Sequence, residues 1–126
     1  MFERIDPRSP TPLYAQIAER IKVAIAAGEL APGAALESVR ALAGQLRVNP
    51  ATVVQAYREL EGEGFVEMRQ GSGTFVRVLS AERRSRQRDA QARQLVRAML
   101  AEAARLGVTP TELRAAIQNE MKEGTR

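Results

Sequence analysis

Cysteine, histidine and tryptophan are all missing from these 126 residues. Without them there is no disulfide scaffold, no Cys/His zinc site, no thiol nucleophile and no triad that needs an imidazole base. Aspartate occurs only at Asp6 and Asp89. No acid/base pair or metal cluster can be assembled from such a set, so no catalytic residue, metal ligand or cofactor is expected, and an enzyme is excluded. Uninterrupted apolar runs fall far short of the roughly 18 residues of a membrane span. The opening Met1-Phe2-Glu3-Arg4-Ile5-Asp6-Pro7 lacks the apolar core of a signal peptide. A soluble, intracellular chain with no membrane partner is expected.

What is present is ordinary globular material, with 44% hydrophobic and 27% charged residues, enough for one small domain plus an appendage. Nineteen basic side chains against fifteen acidic ones give a net charge of +4. A basic chain of this kind fits a nucleic-acid partner, but only loosely. The distribution says more. Residues 1–79 carry nine basic and nine acidic side chains, whereas residues 80–126 carry ten and six. Contacts made by the first 79 residues must therefore come from placement and not from bulk charge.

Apolar spacing divides the chain into elements. Thr11 before Pro12 reads as an N-cap with proline in the first turn, and Leu13, Ile17, Ile21 and Ile25 then recur every four residues up to a stop at Gly28. Pro32-Gly33 reads as a turn. Ser38 can cap a short second helix with Val39, Leu42, Ala43 and Leu46 on one face, and Asn49-Pro50 opens a third with Val53, Ala56, Tyr57 and Leu60 on its rear. About three residues separate these two helices, which is helix-turn-helix spacing. After Gly62 and Gly64 the period changes. Phe65–Arg69 and Thr74–Val78 flank Gln70-Gly71-Ser72-Gly73 and read as a hairpin. Helix-turn-helix followed by hairpin is a winged helix: mostly α with a small β-hairpin.

A recognition helix turns its N-terminal residues to base edges while its rear packs. Opposite the apolar rear lie Ala51, Thr52, Val54, Gln55 and Arg58. Gln55 can pair bidentately with adenine, while Ala51 and the Thr52 methyl can meet a thymine methyl. The first-turn amides of this helix, uncapped by side chains, can also bind a phosphate oxygen. Arg40 fits a phosphate clamp, and the tip Arg69-Gln70-Gly71-Ser72-Gly73 fits sugar-phosphate or minor-groove contact. The plain alternatives are solvated polar side chains and an ordinary tight turn.

Leu36-Glu37-Ser38-Val39-Arg40-Ala41-Leu42-Ala43, Val48-Asn49-Pro50-Ala51-Thr52-Val53, Ala56-Tyr57-Arg58-Glu59-Leu60-Glu61, Gly64-Phe65-Val66 and Gly71-Ser72-Gly73-Thr74-Phe75-Val76 together resemble the GntR-type winged-helix regulators. The resemblance runs over residues 10–78 without gaps. The Asn49-Pro50-x-Thr52-Val53 element and the short helical tail are similar to the YtrA-type subfamily, small bacterial repressors often encoded beside ABC transporters. The resemblance implies a cytoplasmic bacterial repressor that binds double-stranded DNA. It assigns Arg40 to the backbone, Asn49, Ala51, Thr52 and Gln55 to the start of the recognition helix, and Gln70, Gly71 and Gly73 to the wing tip. Pro50 and Val54 stand where many members carry arginine, so guanine readout by those arginines does not transfer. Glu37 and Ala41 replace the usual proline and glutamate, which weakens the expected second-helix cap.

Residues 80–126 form a tail of two further helices. The first spans 81–106, and the second opens on a capping box at Thr109-Pro110-Thr111-Glu112. Leu95, Val96, Met99, Leu100 and Leu106, with Leu113, Ile117 and Met121, make a stripe too apolar to leave wet. Packing back on the same chain is one solution. Pairing with a second copy is favoured, because a twofold dimer reads two half-sites. Arg83, Arg84, Arg86 and Arg88, just after the wing, are placed to reach flanking phosphates. The tail is too small for the ligand-binding domains of larger relatives, and no small-molecule effector is assigned. The competing reading is a helical protein–protein adaptor built on a winged-helix scaffold.

Overall fold

The computed structural model describes residues 1–2 and 5–124. Helices α1 (Leu13–Ala27), α2 (Val39–Leu46) and α3 (Pro50–Gly62) come first, then strands β1 (Val66–Arg69) and β2 (Gly73–Val76). Helices α4 (Ala81–Leu106) and α5 (Pro110–Gly124) follow. The chain separates into two units, Met1–Arg88 and a second that begins at Asp89. Among the described residues no helix is long and apolar enough to cross a membrane.

In the first unit the four-residue repeat of α1 places Ile17, Ile21 and Ile25 in a core shared with Leu42 and Ala43 of α2 and Val53, Ala56, Tyr57 and Leu60 of α3. Each large apolar side chain among them contributes roughly 1.5–3 kcal/mol when fully buried. Val66, Val76 and Leu79 close the core from the hairpin side. The strands are antiparallel, with Val66 opposite Val76 and Arg69 opposite Gly73. A third short edge is present where the sequence pattern shows only a turn. The Leu36 N–H donates to the Thr74 carbonyl at 2.8 Å, the Val76 N–H donates to the Ala34 carbonyl at 2.8 Å, and Ala35 bridges Phe75.

The start of α1 differs from the expected cap. Pro12 occupies the cap position in an extended conformation, and no side chain caps the helix. Gln16 does the tying instead. Its amide donates to the carbonyls of Thr11 and Asp6, both at 2.8 Å, and its oxygen accepts the Asp6 N–H at 2.8 Å. A long amide that reaches back over ten residues replaces the local hydroxyl cap.

The first two turns of α4 belong to the first unit. Ser80 Oγ accepts the Arg83 N–H at 3.1 Å. The Arg83 guanidinium lies 4.9 Å from the Phe65 ring centre and donates to the Glu63 carbonyl. Lys22 approaches the same ring at 5.6 Å and pairs with the Glu63 carboxylate at 2.6 Å. Gly64, at φ +82°, leaves the room this requires: a Cβ there would sit 2.8 Å from Arg83 Nη1. Gln87 reaches Glu19, and Arg88 reaches the Ala26 carbonyl, each at 3.4 Å.

In the second unit, α4 ends before Gly107 (φ +77°), and the Val108 N–H donates to the Ala103 carbonyl at 2.8 Å. The expected capping box forms. The Thr109 N–H donates to Glu112 at 3.0 Å, and the Glu112 N–H donates to Thr109 Oγ1 at 3.2 Å. The bond from the Thr109 N–H, and the Thr109 hydroxyl beside it, favour the ionised carboxylate and hold the Glu112 pKa below its usual value.

Candidate nucleic-acid interface

Two capped helix starts and one hairpin tip carry the candidate residues of the first unit. At α2, Ser38 Oγ accepts the Ala41 N–H at 3.1 Å, so the cap forms despite Glu37 and Ala41. Arg40 is exposed in the turn that follows. At α3, Asn49 Oδ1 accepts the Ala51 N–H at 2.9 Å, and Pro50 occupies the first turn. This cap corrects one expectation. Pro50 has no N–H, the Ala51 N–H is held by the Asn49 side chain, and the Thr52 N–H donates to the Asn49 carbonyl at 2.9 Å. The start of α3 therefore offers no spare amide at these three positions for a phosphate. The Asn49 side-chain NH2, on an exposed residue and not used in the cap, is the donor left there.

The outward face of α3 follows from its buried rear. Val53, Ala56, Tyr57 and Leu60 are at most 1% exposed. Helical periodicity then turns Ala51, Gln55 and Arg58 outward, and all three are exposed, while Thr52 and Val54 are half-buried. Two links beyond the reach of sequence patterns hold this helix. The Tyr57 hydroxyl donates to the Glu37 carbonyl at 2.8 Å, and Glu61 accepts the Met68 N–H at 2.8 Å. One ties α3 to the approach of α2, the other to the wing. Neither lies within the few residues over which capping and turn patterns operate.

At the wing tip Arg69, Gln70, Gly71, Ser72 and Gly73 are all exposed. Gly71 takes φ +80°, and the Ser72 N–H donates to the Arg69 carbonyl at 3.0 Å to close the turn. Arg69 is not a free cation. Its guanidinium lies 4.5 Å from the Phe75 ring centre and 3.4 Å from the Glu67 carboxylate, so it is held in place beside the tip.

The four arginines after the wing separate into two pairs. Arg83 and Arg88 turn toward protein carbonyls; Arg83, stacked on Phe65, is committed to the protein, whereas Arg88 is exposed and keeps donors beyond its 3.4 Å contact with the Ala26 carbonyl. Arg84 and Arg86 are exposed.

The tail stripe lies in the second unit. Leu95, Val96, Met99, Leu100, Leu106 and Met121 are exposed, Leu113 and Ile117 are half-buried, and Ala103 is the buried residue of this unit among those described.

A helix-turn-helix backed by an apolar core, with an antiparallel wing, defines a winged-helix DNA-binding protein. Residues 13–76 match the bacterial regulatory proteins of the gntR family. The chain is 48% identical over 73 residues to the HTH-type transcriptional repressor YtrA of Bacillus subtilis, a match covering 58% of this chain and 56% of that protein. It is 38% identical over 106 residues to the uncharacterized HTH-type transcriptional regulator YhcF of the same organism, covering 84% and 87%. The solved GntR family transcriptional regulator from Listeria monocytogenes superposes with a TM-score of 0.69 at 31% identity, covering 90% of this chain and 97% of that one. The chain belongs to the GntR family of DNA-binding transcriptional regulators.

Proposed function

We propose that the protein is a homodimeric repressor that binds a palindromic operator of its own operon, with ABC transporter genes beside it, in the bacterial cytoplasm. Residues 1–79 are the reading head and residues 80–126 the dimerisation tail. Arg40 and Asn49 take backbone contacts, Ala51, Thr52, Gln55 and Arg58 face the major groove, and residues 69–73 meet the backbone or minor groove. The observation that carries this reading is the uncovered stripe of α4 and α5, where Leu95 and Leu106 are 64% and 62% exposed. Apolar surface of this kind is stabilised by a partner, and a second copy presents the same stripe. Support for repression comes from relatives that carry that name, YtrA among them.

Enrichment of a random duplex library on the purified protein, with sedimentation of the free protein, tests the reading. An inverted repeat and a dimer are expected. A single unrepeated site bound by a monomer overturns it, and retention of no duplex favours the adaptor reading.

A further inference from the structure

Arg47 is the one non-glycine residue with positive φ among those described. It forms the turn between α2 and α3 at φ 55°, ψ 47°, and its N–H donates to the Ala43 carbonyl. This is the left-handed cap that ends many helices, and glycine fills it without the clash between Cβ and carbonyl that an L side chain meets. Arginine here is strained. Nothing in the core requires it, because Arg47 is exposed and stands outside the core cluster. A cation near the α2 C-terminus interacts favourably with the last carbonyls. That offsets part of the strain, but glycine would remove the strain altogether.

Position supplies the missing reason. Arg47 stands two residues before Asn49, the cap of the recognition helix. When that helix enters a major groove by its N-terminal end, the turn feeding it is carried toward the bounding phosphates, and an extended guanidinium has the length to meet one. The start of α3 has no spare amide at its first three positions, so the electrostatic contact must come from a side chain. We infer that Arg47 is a further DNA-backbone contact, kept in a strained turn for its charge. The inference rests on the DNA-binding activity of the family and requires neither the dimer nor the palindrome.

Arg47→Gly and Arg47→Lys separate the fold from the contact. Binding is read on a duplex enriched from the random library by the unsubstituted protein, across a salt series. Arg47→Gly is expected to raise Tm by about 2–6 °C, since it relieves the strain. It is also expected to weaken binding about 5–20-fold and to make the log K against log salt slope shallower by about one unit per bound protomer. Arg47→Lys is expected to keep the slope. A more stable glycine variant with the parent affinity and slope overturns the assignment. Failure of the unsubstituted protein to enrich any duplex overturns the assignment and the DNA-binding reading together.

Discussion

The Tyr57 hydroxyl donates a hydrogen bond to the Glu37 carbonyl, 2.8 Å away and twenty residues earlier in the chain. It joins the rear of the recognition helix to the residue that precedes the α2 cap. Burial, then the Glu37 charge, pushes the Tyr57 pKa up from 10.0 to about 12. The unfolded chain therefore releases this proton first as pH rises. The contribution of Tyr57 to stability is complete below pH 10 and is lost between pH 10 and about 12, a change of order 2 kcal/mol. Tyr57→Phe should cost about 1 kcal/mol at pH 8, because the carbonyl loses its donor. Denaturant midpoints taken from pH 8 to 12 check the sign: the gap between parent and variant narrows and then reverses as the parent weakens. A gap that stays constant would show that the hydroxyl does not titrate in this window.

Arg83 gives a second prediction, because it is spent inside the protein. Arg83→Met removes the carbonyl bond to Glu63 and the cation over Phe65 and should destabilise by about 1–2 kcal/mol. The salt dependence of DNA binding should stay as it was. Arg84→Ala and Arg86→Ala should do the reverse, with unchanged thermal melting and a slope shallower by about one unit for each phosphate left without its guanidinium. A shallower slope in Arg83→Met would put its guanidinium on DNA after all. Gly64→Ala adds a check on the packing. It should be harmful in the parent, where the new Cβ meets Arg83 Nη1, and less so beside Arg83→Ala.

What is legible in the chain follows the range of the interactions. The Asn49 and Ser38 caps, the Thr109–Glu112 box and the span of α4 depend on neighbours within a few residues, and they stand where the sequence places them. The rear of α3 is legible because Val53, Ala56, Tyr57 and Leu60 repeat with the helix. Thr11 fails as a cap because Gln16 offers the approach to α1 a better set of bonds, closed with Asp6 ten residues away. The short edge at residues 34–36 has no alternation to reveal it; it exists only because β2 supplies partners. For the site, exposure of Gln55 and the wing tip is legible. The commitment of Arg83 to Phe65 is not, since it depends on where the wing folds.

Gln55 and Arg40 should separate specificity from affinity. Gln55 is exposed in the second turn of α3, and Arg40 is exposed in the first turn of α2. A bidentate glutamine–adenine pair is worth about 1–3 kcal/mol of discrimination. Gln55→Ala is therefore expected to lose roughly tenfold or more on the preferred duplex and to accept a changed base at one position of each half-site. Arg40→Ala should weaken all duplexes evenly and reduce the salt slope. Competition binding against single-base variants distinguishes the two patterns. An even loss for Gln55→Ala would make its role positional.

The stripe of the second unit makes the sharpest demand on the proposed assembly. Met99 and Leu100 lie at its centre, 43% and 41% exposed, with Val96 one turn earlier on α4. If these side chains face a second copy, Leu100→Asp buries an unpaired carboxylate at the contact, a cost of several kcal/mol. Association should then fall at least roughly a hundredfold. The head should keep its fold, because its core from Ile17 to Leu79 shares no residue with the stripe. Sedimentation should therefore report monomers at concentrations where the parent is dimeric, with the helical circular dichroism of the head retained. Binding to a full operator should drop steeply, while binding to an isolated half-site stays close to the parent value, because only the second reading head is missing. Equal losses on both duplexes would mean that the stripe acts on the head and not on a partner.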